Sequence, residues 1–244
     1  MKFKDITRHL SEARINRYLA AANNSKTLAV RMYKTNLKIA QAFHPLLGIL
    51  EVTLRNHLNE ILTQHFSDKD WIIHEKTGFM SAPSLSYIHK KKGTRVINDY
   101  LKREVQKAEK RLAKSGTPIT SGKIIAEQTL GFWTSLFEVH HYRLLRGKPI
   151  QVFQRLASAT GRKAVFDNLN KIRLFRNRVN HNEPVCFKGH RFDLSFAEEV
   201  YQSIHEILNW IDPELIKWIA DIDSVPSKMK SAKNAISKIN VNAK

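Results

Sequence analysis

One cysteine, Cys186, is all this chain has, so no disulfide can close within it and the 42% hydrophobic content has to supply the core. Long apolar runs are also missing. The run from Pro45 to Leu50 ends at Glu51, with Arg55 one turn on, far below the roughly 20 residues that span a bilayer, so no membrane segment is expected. Met1-Lys2-Phe3-Lys4-Asp5 lacks the apolar core of a signal peptide, which predicts a cytoplasmic location. No Walker loop and no usable Ser-His-Asp context occurs. His140 and His141 would point about 100° apart on a helix, and no Cys or carboxylate cluster completes a site around them, so neither metal nor cofactor is expected. Acidic residues are scarce: 22 Asp and Glu stand against 41 Lys and Arg, a formal net charge of +19. That excess points to a polyanionic partner, and the basic residues recur at 90–114, 143–178 and 228–244 rather than in one tail.

What is present is helical periodicity. Nothing reads as a run of alternating strand residues, and the spacing predicts an all-α fold in one domain over 1–225, with an excursion within 67–118 and a flexible basic tail over 226–244. A first helix is expected over about 5–21, a second from a cap at Asn23, Asn24 or Ser25 to His44, and a break or kink at Pro45. Leu47, Leu50, Leu54, Leu58 and Ile61 then line a helix ending near Phe66. Further helices are expected over 94–114 (Val96, Ile97, Leu101, Val105, Ala108 and Leu112 apolar), from Ser121 through Tyr142, and over 162–181, where Val165, Leu169, Ile172, Phe175 and Val179 form a stripe closed by Pro184. Ser195 and Glu198 read as a capping box, and Asp212-Pro213 starts a shorter helix. Phe132, Trp133, Phe137 and Tyr142 fit a core better than a base-stacking platform.

The stretch Arg176-Asn177-Arg178-Val179-Asn180-His181 gathers a permanent cation, an amide and an imidazole within two helical turns. Arginine neutralises charge building on a phosphate, the amide holds an oxygen or orients a ring, and histidine moves a proton near neutral pH. On a straight helix Asn177 and His181 share a face, whereas Arg176 is rotated from His181 by roughly 140°. Lys90, Lys91, Lys92, Arg173 and Arg178 are the candidate RNA-contacting cations.

The Arg-Asn-x-x-x-His pattern, late in a basic helical chain, resembles the ribonuclease motif of the HEPN superfamily, and more narrowly that of abortive infection (Abi-like) proteins. Glu51-Val52-Thr53-Leu54-Arg55-Asn56 resembles the Glu-x-x-Leu-Arg-Asn stretch on an early helix of those proteins, and Gly131-Phe132-Trp133 falls where they carry an aromatic segment. The likeness covers roughly residues 25–210. It implies a HEPN-like helical bundle, a homodimer that pairs two motifs in one cleft, and metal-independent cleavage of RNA by its own 2′-hydroxyl, with Arg176, Asn177 and His181 in the catalytic roles. Glu51, Arg55 and Asn56 then support the motif helix, although an intrahelical pair explains Glu51 and Arg55 about as well. Phage defence or toxin-like growth arrest is the implied setting. The alternative is a non-catalytic Abi-like protein that holds a structured noncoding RNA.

Overall fold

The computed structural model describes residues 1–88, 91 and 93–241. It is predominantly helical, with two short antiparallel sheets of two strands each, so the fold is all-α. The chain, read from sequence as one domain over 1–225, groups into two compact units. One holds 1–48, 174–206 and 214–244, and the other holds 49–173 and 207–213.

In the first unit, α1 (Phe3–Leu10) and α2 (Glu12–Ala21) replace the expected single helix. Ser11 divides them: its φ of 68° ends one helix, and its hydroxyl accepts from the Arg14 N–H at 3.4 Å to open the next. Asn23 and Asn24 turn the chain in the left-handed region that short amide side chains tolerate. Ser25 then caps α3 (Lys26–Phe66), its hydroxyl accepting from the Leu28 N–H at 3.4 Å. α3 is continuous through Pro45, where the sequence predicts a break. Burial of Phe43, Leu46 and Leu47 holds the turn on either side of the proline, while Pro45 and Gln41 face outward, so the carbonyl that loses its donor stays in water. Pro45→Ala restores that hydrogen bond and is expected to raise stability by roughly 1–3 kcal/mol in a denaturant melt. By length and composition α3 is also the one described helix apolar enough to cross a membrane, with a best window of mean hydropathy 1.2. Its residues Ile39, Phe43, Leu46, Leu50, Leu54 and Leu58 are fully buried within the protein.

The second unit begins along α3 and contains α4 (Trp71–His74), then a small hairpin of β1 (Ser86–Ile88) and β2 (Arg95–Ile97) inside the expected excursion. Val96 and Ile97, expected on the buried side of a helix starting near Thr94, lie exposed in β2 opposite Tyr87 and Ser86. Their β-branched side chains favour a pleated backbone, and α5 (Tyr100–Lys114) starts only after Asp99. Leu101, Val105, Ala108 and Leu112 are buried as its periodicity requires. The one long helix expected from Ser121 is three short ones: α6 (Ser121–Glu127), α7 (Leu130–Ser135) and α8 (Val139–Leu144). Extended backbone at Gln128, Thr129 and Glu138 separates them, and Thr120 caps α6 in place of Ser121. Phe132, Trp133 and Phe137 are fully buried, so this aromatic segment is core. The motif helix α9 (Arg162–Asn180) buries Val165, Leu169, Ile172, Phe175 and Val179.

After α9 the first unit resumes with a hairpin of β3 (Phe187–Lys188) and β4 (Arg191–Phe192) in the stretch expected to be irregular. Then come α10 (Ser195–Ile211) and α11 (Pro213–Trp218). The capping box at Ser195 and Glu198 is not formed. Asp193 accepts instead from the Ser195 N–H at 2.7 Å and from its hydroxyl, and Glu198 pairs with Lys233. Of the tail expected to be flexible over 226–244, the described part is helix α12 (Val225–Val241), its start buried at Val225, Met229 and Ala232, and 242–244 lie outside the described residues. Asp223 fixes that start by accepting from the Val225 N–H at 3.0 Å and the Tyr201 hydroxyl at 2.6 Å. Small residues among the lysines disguise an apolar stripe too sparse to stand out by composition.

Candidate active site at the end of the motif helix

α9 carries Arg176, Asn177 and His181 to its C-terminal end, and a tight turn shapes that end. The Asn182 N–H bonds to the Val179 carbonyl at 3.1 Å and the Glu183 N–H to the Arg178 carbonyl at 2.8 Å, with Asn182 left-handed at φ 53°. This is a Schellman ending in which His181 is the C-cap residue. The His181 N–H still bonds the Asn177 carbonyl at 3.0 Å, so the helical register survives up to the imidazole. Pro184, expected to close the helix, lies two residues beyond the real stop. The side chain of His181 is exposed at the cap, and Arg176 and Asn177 are half-buried.

Asn180 is a site residue that sequence reasoning leaves unassigned. With its amide turned so that Oδ1 faces the guanidinium, it accepts from both Nε and Nη1 of Arg176, each at 3.2 Å. A spacing of four along the helix makes that contact and is its only sequence signal.

The helix end is anchored from several sides. Phe175, next to Arg176, packs on Phe43 at a ring separation of 4.5 Å and on Phe196 at 5.8 Å, and the exposed Arg178 guanidinium lies 5.7 Å from the Phe196 ring centre. From α2, Arg14 donates to the Asn182 carbonyl, while Arg17 donates to the Gly189 carbonyl at 3.0 Å and covers the Phe187 ring at 4.5 Å. Buried Asn36 accepts through Oδ1 from the N–H groups of Val185 at 2.7 Å and Cys186 at 3.2 Å. Burial pushes the Cys186 thiol up to about 12, so it stays protonated and inert near neutrality.

The remaining sequence candidates belong to the second unit. Glu51, Arg55 and Asn56 sit on α3 in the second unit, where Arg55 Nη1 donates to the Ala126 carbonyl at 3.4 Å. Arg173 is also in that unit and donates to Asn170 Oδ1 through Nη2 at 2.7 Å and Nε at 3.2 Å. Lys91 is exposed at the hairpin turn, and Lys90 and Lys92 lie outside the described residues. Among the described residues no three His, Cys, Asp or Glu side chains converge as metal ligands. His140 is exposed, while His141 is buried with neither ring nitrogen hydrogen-bonded.

The Schellman ending gives a direct test of the cap. Asn182→Gly keeps the left-handed turn and is expected to leave stability unchanged or slightly raised, whereas Asn182→Val should lose roughly 1–2 kcal/mol in a thermal melt because a β-branched residue resists positive φ.

No family model, curated protein or solved structure shows significant similarity to the chain.

Proposed function

We propose that this protein is a metal-independent endoribonuclease of the HEPN, Abi-like type. The reading rests above all on one arrangement: an exposed imidazole at the C-cap of α9, one turn from Asn177, on the same helix end as an arginine whose guanidinium donates to Asn180. In the reaction, the RNA 2′-oxygen attacks the adjacent phosphorus and the bond to the 5′-oxygen breaks. The 2′-hydroxyl loses a proton and the leaving 5′-oxygen gains one, giving a 2′,3′-cyclic phosphate and a 5′-hydroxyl. His181 serves one of those two proton transfers, Arg176 offsets the charge on the pentavalent phosphate, and Asn177 orients a phosphate oxygen or the imidazole. DNA lacks the nucleophile and should resist.

The resemblance of the motif supports a homodimer in which a second copy of His181 takes the other proton transfer, as well as a cytoplasmic role in phage defence or growth arrest. The net charge of +19 supports RNA as the partner and equally suits the second reading, a binder that holds a noncoding RNA without cutting it. Purified protein incubated with mixed cellular RNA in EDTA separates them. The nuclease gives fragments ending in 2′,3′-cyclic phosphate; RNA that is retained but intact would establish the binder and overturn the nuclease. Binding should weaken steeply with salt, by about 0.7 in log affinity per unit log salt for each phosphate contact to a single strand, and a flat titration would remove the polyanion argument.

A further inference from the structure

The second unit contains a pocket of about 330 Å³, near the small end of the range for ligand sites and sized for one nucleotide. Its wall is built from α5, α7 and α9, with Glu138 at the junction before α8. Two guanidiniums line it. Arg173 is held by the Oδ1 of Asn170, which accepts from its Nη2 and Nε. Arg103 is paired with Asp99, Nε to Oδ1 at 3.0 Å, and its side chain is 58% exposed. The carboxylate of Glu138 shares the pocket, yet no ion pair joins it to either arginine among the described residues. Its neighbour is Nδ1 of the buried His141, at 3.5 Å, beyond a good hydrogen bond. Tyr100 and Phe166 supply aromatic walls. The pocket stays open because position 131 is glycine: a Cβ there would sit 3.0 Å from the Tyr100 hydroxyl and 3.6 Å from Arg173 Cδ.

Opposite charges kept apart in one cavity call for a ligand with an anion at one end and hydrogen-bond donors at the other. An aromatic wall adds a planar ring to that description. We infer that this pocket binds a single guanine nucleotide, its phosphate on Arg103 and Arg173 and its base edge on Glu138. A carboxylate can accept from the guanine N1–H and N2 amino group together, whereas adenine, cytosine and uracil each offer it only one such donor group on that edge. The phosphate end takes charge-assisted bonds from the arginines, whereas the hydroxyls of Thr134 and Ser135 already donate to the carbonyls of Leu130 at 2.8 Å and Gly131 at 2.9 Å and are left only to accept, from a ribose hydroxyl and not from the phosphate. The inference deepens the RNA reading and rests on it only for the source of the nucleotide, an unpaired guanosine of the bound strand.

Titration calorimetry of the full chain with guanosine, adenosine, cytidine and uridine 3′-monophosphates tests it. The guanosine nucleotide is expected to bind at least about tenfold more tightly than the others, the worth of one charged hydrogen bond. Arg103→Ala, at an exposed position, should weaken every nucleotide by about tenfold or more, and Glu138→Gln should erase the preference for guanosine while keeping the phosphate contribution. A short single strand with one guanosine should compete with the free nucleotide; failure to compete, with the mononucleotide bound, would make the ligand a free nucleotide and overturn the RNA source. No binding by folded wild-type protein, or equal affinity for all four, overturns the pocket assignment. The nuclease assay is read separately: cleavage without nucleotide binding leaves the nuclease and removes the pocket, and nucleotide binding without cleavage does the reverse.

Discussion

His181→Ala is expected to lower RNA cleavage by about 10²–10⁴-fold, the usual worth of a positioned general acid or base, with RNA affinity nearly unchanged. The imidazole is exposed at the C-cap and its backbone N–H, not its ring, keeps the helix closed, so removing the ring should leave the fold intact. Arg176→Ala should reduce cleavage at least as much, because it removes a cation and leaves the Asn180 amide without its guanidinium. Asn180→Ala then becomes diagnostic: with Arg176 retained but without the Asn180 amide, kcat should fall by less than in the arginine variant while affinity for RNA changes little. Single-turnover cleavage and filter binding on the same variants separate these effects. Cleavage by His181→Ala at the wild-type rate, under matched binding, would remove the catalytic assignment. A twofold composite site adds one more expectation: mixing Arg176→Ala and His181→Ala proteins should restore part of the activity if subunits exchange, and light scattering should find a dimer at micromolar concentration.

Much of this arrangement is legible in the sequence wherever the signal is local and periodic. The stripe of Val165, Leu169, Ile172, Phe175 and Val179 places the motif helix and its buried side, because burial at steps of three and four is a property of the helix alone. The end of that helix is easily misread because Pro184 is a louder breaker than Asn182, although the left-handed asparagine makes the stop. Pro45 misleads in the opposite direction: buried neighbours on the long helix override the local penalty of a proline. At α12 the apolar positions are Val225, Met229 and Ala232 in a lysine-rich setting, and composition conceals what spacing of three and four would indicate. The contacts that hold the site are not legible at all. Arg14, Arg17 and Asn36 bond backbone atoms 168, 172 and 149 residues away, and a lone polar side chain does not name a partner at that distance.

Asn36 gives the largest expected effect on stability. It lies on α3 with 1% exposure, and a single oxygen accepts from two buried N–H groups, Val185 at 2.7 Å and Cys186 at 3.2 Å. The segment it holds begins four residues after His181, so one amide connects the long helix to the chain leaving the candidate site. Asn36→Ala strands both donors without water, each worth about 1–3 kcal/mol, and the protein should lose roughly 2–5 kcal/mol, or about 5–15 °C in melting temperature. Volume and polarity can be told apart. Asn36→Leu restores the bulk but not the acceptor and should remain about as unstable as the alanine variant, whereas Asn36→Asp keeps an oxygen for both donors and should recover part of the loss despite burying a carboxylate. A leucine variant as stable as wild type would mean that the cavity, not the two hydrogen bonds, sets the energy. Cleavage should follow the same order, falling in the alanine and leucine variants even at temperatures where both stay folded, because the turn behind His181 loses the bonds that fix its exit.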